Sequence, residues 1–205
     1  MYMRDDSIHR GRKYGQVLAG ARDVFMVDGF EGGSVDEIAR VAGVSKATLY
    51  KYFPDKRILF MEVANVECQR QAREALDNID MSAPPRIVLG QAGHHFLRFI
   101  TSTLGLQIFR ICLAESDRFP ELGQQFYNSG PAVVRAEMVI YFEAAEARGE
   151  LNIEDKSLAA DQFGELCKAD LWMRLIFGVS KSVSQEEIAR VVNSAVETFL
   201  ARYGT

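Results

Sequence analysis

Between residues 45 and 56 the chain reads S-K-A-T-L-Y-K-Y-F-P-D-K, a run holding three lysines, two tyrosines and a threonine. Side chains of these types donate hydrogen bonds to phosphate oxygens and base edges, so the chemistry on offer is contact with nucleic acid. At about 100° per residue, Leu49 and Phe53 lie one turn apart and must face a core. Ala47, Thr48 and Lys51 fall opposite them, where a groove would lie. Lys46 projects from the first turn, close to bases. The Ala47 methyl suits a thymine methyl, and Thr48 suits a base or a phosphate. Tyr50 and Tyr52 flank this face, one toward each wall of phosphates. Pro54 ends the helix, and Asp55 can cap a further helix whose first residue, Lys56, also meets phosphate.

No bond-making constellation competes with this reading. The chain has no G-x-S-x-G turn, no glycine-rich phosphate loop, no H-E-x-x-H and no C-x-x-C. His9, His94 and His95 include no partner for a nucleophilic serine or cysteine. His94 and His95 are adjacent and point apart on a helix, which weakens a metal reading. The sequence therefore predicts neither an enzyme nor a cofactor or metal site.

The element that holds these side chains is written just upstream. Ser34 followed by Glu37 predicts a capping box. Val35, Ile38, Ala39 and Ala42 then recur at helical spacing. Gly43 stands where a helix end takes a left-handed residue, Val44 packs the turn, and Ser45 caps the next helix. Two short helices joined this way form a helix-turn-helix, whose second helix enters the major groove of DNA. An ordinary helical hairpin with a solvated face would leave both tyrosines unexplained.

The net charge of −4 fits this only after the chain is divided. Residues 1–60 hold ten Lys or Arg against eight Asp or Glu, giving +2; the remainder holds fourteen against twenty, giving −6. The basic end, with Arg10, Arg12 and Lys13, is placed to meet phosphate, and the acidic remainder is repelled by it. Arg4 reads as a solvated charge. The three cysteines, Cys68, Cys112 and Cys167, are far apart and odd in number, which argues for reduced core thiols in a cytoplasmic protein. No apolar run is long enough to span a membrane, and the N-terminus lacks a signal-peptide core.

The rest reads as helix, so the predicted fold is all-α. Helix one covers 12–27 and buries Val17, Leu18, Ala21, Val24 and Phe25; Gly29 closes it and Phe30 plugs the core. A helix over 56–77 leaves the small domain, which predicts domains over 1–57 and 58–205. Prolines break the chain at 80–85, and helices follow over 86–101, 104–118, 120–128, 131–148, 155–177 and 184–203. The last begins with a second capping box, Ser184 with Glu187, and carries an apolar stripe of Ile188, Val191, Val192, Ala195, Val196, Phe199 and Leu200.

The run S-V-D-E-I-A-x-x-A-G-V-S-K-A-T-L-Y-K-Y-F-P-D-K-x-x-L resembles the N-terminal domain of TetR (tetracycline-repressor-like) regulators over residues 12–59. Residues 114–131, AESDRFPELGQQFYNSGP, resemble the C-terminal domain of the AefR-like branch. The resemblance implies an all-helical homodimer that represses transcription from double-stranded operator DNA until a small molecule binds its larger domain. It assigns base contacts to Lys46, Ala47 and Thr48, and phosphate contacts to Ser34, Ser45, Tyr50, Lys51, Tyr52 and Lys56. Many members carry glycine at the position of Ala47. It also implies that the last two helices pair with their copies, through Leu166, Ile188, Val192, Val196 and Phe199 with Leu158, Phe163 and Leu171. Periodicity alone leaves those residues divided between core and interface. Glu115 and Arg118 match the AefR-like motif as an ion pair.

The middle of the chain holds more aromatics than a small core needs, which points to a ligand cavity. Phe96, Phe99, Phe126 and Trp172, with Arg110 as polar anchor, are the candidate lining; His94, His95, Glu115 and Asp170 are further anchors, and Phe109, Tyr127, Tyr141, Phe142 and Phe177 further aromatics. The alternatives are a DNA-binding protein that senses no ligand, and a binding module whose head has lost its DNA; the intact Lys46, Tyr50, Tyr52 and Lys56 argue against the latter.

Overall fold

Gly29 interrupts the first helix where the sequence places its end. In the computed structural model, which describes residues 11–117 and 119–205, α1 spans Arg12–Gly32 with a break at Gly29 (φ 70°, ψ −177°), a conformation almost closed to residues with a Cβ. The break sends Phe30 back onto Phe25 and Phe60, ring centroids 6.2 and 5.2 Å away. Val17, Ala21, Val24 and Phe25 are buried as expected, while Leu18 is only half-buried. The expectations for Arg4, His9, Arg10 and Arg118 lie outside the described residues.

α2 (Val35–Val41) and α3 (Lys46–Tyr52) follow. Gly43 (φ 64°) closes α2: the Val44 N–H donates to the Ala39 carbonyl at 3.0 Å and the Gly43 N–H to that of Arg40 at 3.2 Å. That is a Schellman ending, which absorbs carbonyls the helix leaves unpaired. A Cβ at Gly20 would lie 2.7 Å from the Ala42 backbone nitrogen, so α1 and α2 approach at a distance only glycine allows. One expectation is corrected here. Ser34 does accept the Glu37 N–H at 3.1 Å, but the Glu37 carboxylate turns to the Arg40 guanidinium, so only half of the capping box forms. A charge-assisted pair one turn on outcompetes a single backbone N–H.

α4 (Lys56–Asn78) starts in the first compact unit, which ends at Val66, and finishes in the second, which begins at Glu67. The first unit thus runs nine residues past the expected boundary at 57/58. Leu59, Phe60 and Val63 are the reason, since all three are buried and Phe60 stacks edge-on against Phe25 at 5.1 Å.

The second unit holds α5 (Pro85–Ile100), α6 (Thr103–Glu115), α7 (Pro120–Ser129), α8 (Pro131–Ala147), α9 (Lys156–Lys168), α10 (Leu171–Ile176) and α11 (Gln185–Tyr203). Prolines occupy the first turns of α5, α7 and α8, where no N–H is needed. α11 packs on α5 and α9, and α8 on α7 and α9. Phe199 of α11 stacks on Phe142 of α8 at 5.3 Å and meets Phe163 of α9 edge-on at 5.5 Å. The box at Ser184 and Glu187 is complete. Among the described residues there is no strand, only a bridge between Leu151 and Gly204. No single described helix is long and apolar enough to cross a membrane.

Two expectations fail in this unit. The single helix over 155–177 is two, because Asp170 takes a left-handed conformation (φ 64°, ψ −55°) and the Leu171 N–H closes onto the Ala169 carbonyl at 2.7 Å. This is a γ-turn of the strained, positive-φ kind. The Asp170 carboxylate pairs with Arg190 and Arg174, which holds the turn. The stripe on α11 is the second correction. Ile188, Val192, Val196 and Phe199 are all buried within their own chain, so they form core and present nothing to a partner. Each such burial is worth about 1.5–3 kcal/mol and needs one partner surface, which α5, α8 and α9 supply. Leu166 is half-buried at the edge of this core.

Candidate DNA interface and internal cavity

Leu49 and Phe53 anchor α3 in the core of the first unit, and that alone turns its other face outward. Lys46, Ala47, Tyr50 and Lys51 are exposed on this face. Ser45 caps the helix by accepting the Thr48 N–H at 3.1 Å, and the Ser45 and Thr48 hydroxyls lie 2.9 Å apart. Thr48 is therefore held beside the cap, half-buried. The Lys46 ammonium pairs with Asp36 of α2.

The two flanking tyrosines differ. Tyr50 makes no ring contact among the described residues and is 47% exposed. Tyr52 is half-buried and meets the Tyr14 ring edge-on at 5.8 Å, while Tyr14 donates its hydroxyl to Glu62 at 2.7 Å. Arg12 and Lys13 are exposed at the start of α1. Lys56 is turned inward: its Nζ lies 4.6 Å from the Phe30 ring centroid and 3.4 Å from the Glu31 carbonyl. The hydroxyl of Ser34 is occupied as the cap of α2. Neither the Asp36–Lys46 pair nor the support of Tyr52 by Tyr14 has a signal in sequence spacing.

The second unit holds a half-open cavity of about 510 Å3. Phe96, Phe99, Phe126 and Trp172 all line it, as does Phe109, whose ring stands edge-on to Trp172 at 4.9 Å. A smaller chamber of about 150 Å3 shares Phe96 and Phe99 and adds Ile79, Val88, His95 and Glu137. Arg110 is a correction. Its guanidinium leaves the cavity to donate to the carbonyls of Leu175 and Ile176, at 2.8 and 3.3 Å, and so closes the end of α10. Asp170 is spent on the γ-turn, Tyr141 and Phe142 are core, and Phe177 is 72% exposed. His94 and Glu115 lie outside both linings. The charged residues that do line the larger chamber, Arg135, Asp161, Glu165 and Lys168, were not singled out by sequence reasoning.

Cys68 lines both chambers, but burial pushes its thiol up to about 11, and those of Cys112 and Cys167 to about 12. All three are free thiols, protonated at neutral pH and therefore poor nucleophiles and metal ligands. Among the described residues no cluster of three His, Cys, Asp or Glu side chains is placed to hold a metal.

Residues 17–63 match the family described as bacterial regulatory proteins, tetR family, and residues 87–205 match the AefR-like transcriptional repressor, C-terminal domain. The chain belongs to the TetR family. As a TetR-family transcriptional regulator it resembles the transcriptional activator FasR of Mycolicibacterium smegmatis, 40% identical over 60 residues, which cover 29% of this chain and 27% of FasR. It is 45% identical to the regulator RutR of Escherichia coli over 47 residues, 23% of this chain and 22% of RutR. The chain thus spans only about a quarter of the length of these curated relatives. Whole-chain likeness comes from solved structures. A TetR-family regulator from Mesorhizobium loti is 29% identical with a TM-score of 0.75, covering 97% of this chain and 100% of that one. The flavonoid-responsive regulator FrrA is 31% identical with a TM-score of 0.67, covering 95% and 98%.

Proposed function

We propose that two copies of this regulator bind a near-palindromic operator, each setting α3 in the major groove, and that an apolar or amphipathic small molecule in the cavity weakens the complex. In this reading Lys46, Ala47 and Thr48 face bases, and Tyr50, Lys51, Tyr52, Lys56, Ser34 and Ser45 face phosphates. Lys56 reaches a phosphate by leaving the Phe30 ring, and the two serines contribute from helix N-termini. Exposed apolar side chains on α9 and α10, Leu158 and Met173, are the proposed surface for the second copy, since the stripe on α11 is consumed internally. Operator DNA as partner puts the site of action in the cytoplasm.

The observation that carries the ligand half of this proposal is the course of α4. It begins beside the turn that follows α3, and its later residue Cys68 is part of the cavity wall. A ligand that prefers one position of that wall therefore acts on a helix whose first turn belongs to the DNA-binding unit. The coupling equals its differential affinity for the two states, typically about 1–3 kcal/mol, or roughly 5- to 150-fold in operator affinity. FrrA, named as flavonoid-responsive, supports a small-molecule effector.

The test is a fluorescence-anisotropy titration of labelled operator, recovered by binding-site selection, with and without a molecule that binds the cavity. Linkage requires the operator to weaken ligand binding by the same factor. Identical ligand affinity with and without operator would leave a DNA-binding regulator that senses no ligand.

A further inference from the structure

The wall of the larger cavity carries two ion pairs that its apolar lining does not need. Arg135 of α8 donates from Nε to Asp161 Oδ1 of α9 at 2.8 Å and from Nη2 to Oδ2 at 2.7 Å, with its guanidinium 5.9 Å from the centroid of the Tyr127 ring. On the same helix, Lys168 pairs with Glu165. All five residues line the 510 Å3 chamber.

Exposure is graded along that lining. Ile108, Phe163 and Met138 are buried at its floor, the rings of Phe96, Phe99, Phe109, Phe126 and Trp172 are half-buried, and Tyr127, Asp161 and Glu165 are exposed, so the charged pairs sit on the open side of the lining. Within each pair the cation is the better covered partner: Arg135 is 34% exposed against 46% for Asp161, and Lys168 27% against 73% for Glu165. A carboxylate that lets go of either cation swings into water at little cost, while the cation stays over the chamber. A cationic ligand would have the opposite effect, stranding Arg135 half-covered without its partner. A neutral polar group displaces neither.

We propose that the effector of this cavity is a largely apolar molecule bearing one carboxylate, which replaces Asp161 on Arg135 and so unfastens α8 from α9 at the cavity mouth. The inference rests on the cavity being the effector site. The planar guanidinium binds a carboxylate through two parallel hydrogen bonds, and an incoming carboxylate reproduces the bonds that Asp161 gives up. Lys168 adds a second positive charge to the same opening. Apolar surface supplies the affinity, and the exchange of carboxylates supplies the selection.

The experiment uses the full chain and N-phenyl-1-naphthylamine, a neutral dye that fluoresces in apolar sites, displaced by biphenyl-4-carboxylate or by the isosteric biphenyl-4-carboxamide. The acid is expected to displace the dye at a concentration about two- to fivefold lower than the amide, the residual left when Asp161 returns to water and Lys168 adds its charge to a partly exposed pair. Arg135→Gln should abolish that preference and leave the amide unchanged. Arg135→Lys should retain only part of it, and Asp161→Asn should tighten the acid alone. Equal displacement by acid and amide in the unaltered protein overturns the proposal while leaving the cavity as an effector site. Parallel loss of both ligands in Arg135→Gln, with no tightening in Asp161→Asn, overturns it too. Failure of the dye to bind at all overturns the cavity reading and the proposal together.

Discussion

Lys46, the first residue of the outward-facing helix, is paired with Asp36 on the helix before it. Both side chains are more than half exposed, so the pair is worth little in stability, about 0–1 kcal/mol. In the proposed operator complex this matters for DNA: the lysine would arrive at the groove already neutralised and would have to exchange a carboxylate for a base edge or a phosphate. Asp36→Ala should therefore raise operator affinity by about two- to fivefold at low salt, with unchanged thermal stability. An affinity that stays level or falls in an anisotropy titration would show that Asp36 positions Lys46 instead of restraining it.

Contacts to bases and contacts to phosphates separate in the same assay. Lys46→Ala should relax base preference in a binding-site selection. Tyr50→Phe and Lys56→Ala should weaken binding to all sequences alike, and Lys56→Ala should also reduce the salt slope by about one. An unaltered slope for Lys56→Ala would mean that the ammonium stays on Phe30 and Glu31 when DNA binds.

Much of this molecule is legible in the sequence because it is local. The two faces of α3 follow from Leu49 and Phe53 one turn apart, the end of α2 from Gly43, and the break in α1 from Gly29. What escapes is set by partners distant in the chain. Asp170 ends a helix with no glycine or proline to mark it, and the apolar spacing from Phe163 to Leu175 continues through the break as if nothing happened. Arg110 has the form of a cavity anchor, yet it serves carbonyls 65 and 66 residues away. The stripe from Ile188 to Phe199 states that one face is covered without stating by what. Arg135 and Asp161 stand 26 residues apart with no pattern that joins them.

That stripe makes a different prediction from the one its pattern first suggests. Val196 is 4% exposed within its own chain, so Val196→Glu buries an unpaired carboxylate in the core and should unfold the second unit, at a cost above about 4 kcal/mol. Leu158 is half exposed on the outer side of α9, and Leu158→Glu should keep native helicity while yielding monomers. Circular dichroism with sedimentation velocity distinguishes the two. A folded, monomeric Val196→Glu would return α11 to the interface.

His94 links stability to pH. Its Nδ1 is buried with no hydrogen-bond partner among the described residues, and burial foremost, then the charges of Arg98 and His95, holds its pKa below the ordinary 6.5. The folded chain thus prefers the neutral imidazole. A group whose folded pKa is depressed contributes stability that is present above its unfolded value and is lost as pH falls through the folded one. The melting temperature should therefore decline as the solution is taken below pH 6.5, and His94→Gln, which cannot titrate, should flatten that part of the decline. Carboxylates such as Glu187 and Glu146, held below their usual range by Ser184 with Arg174 and by Lys156, contribute their own losses only at lower pH, under 4.5. The two windows are separable in a series of melts from pH 8 to pH 3. Equal declines between pH 7 and pH 5 in the unaltered protein and in His94→Gln would show that another group titrates there.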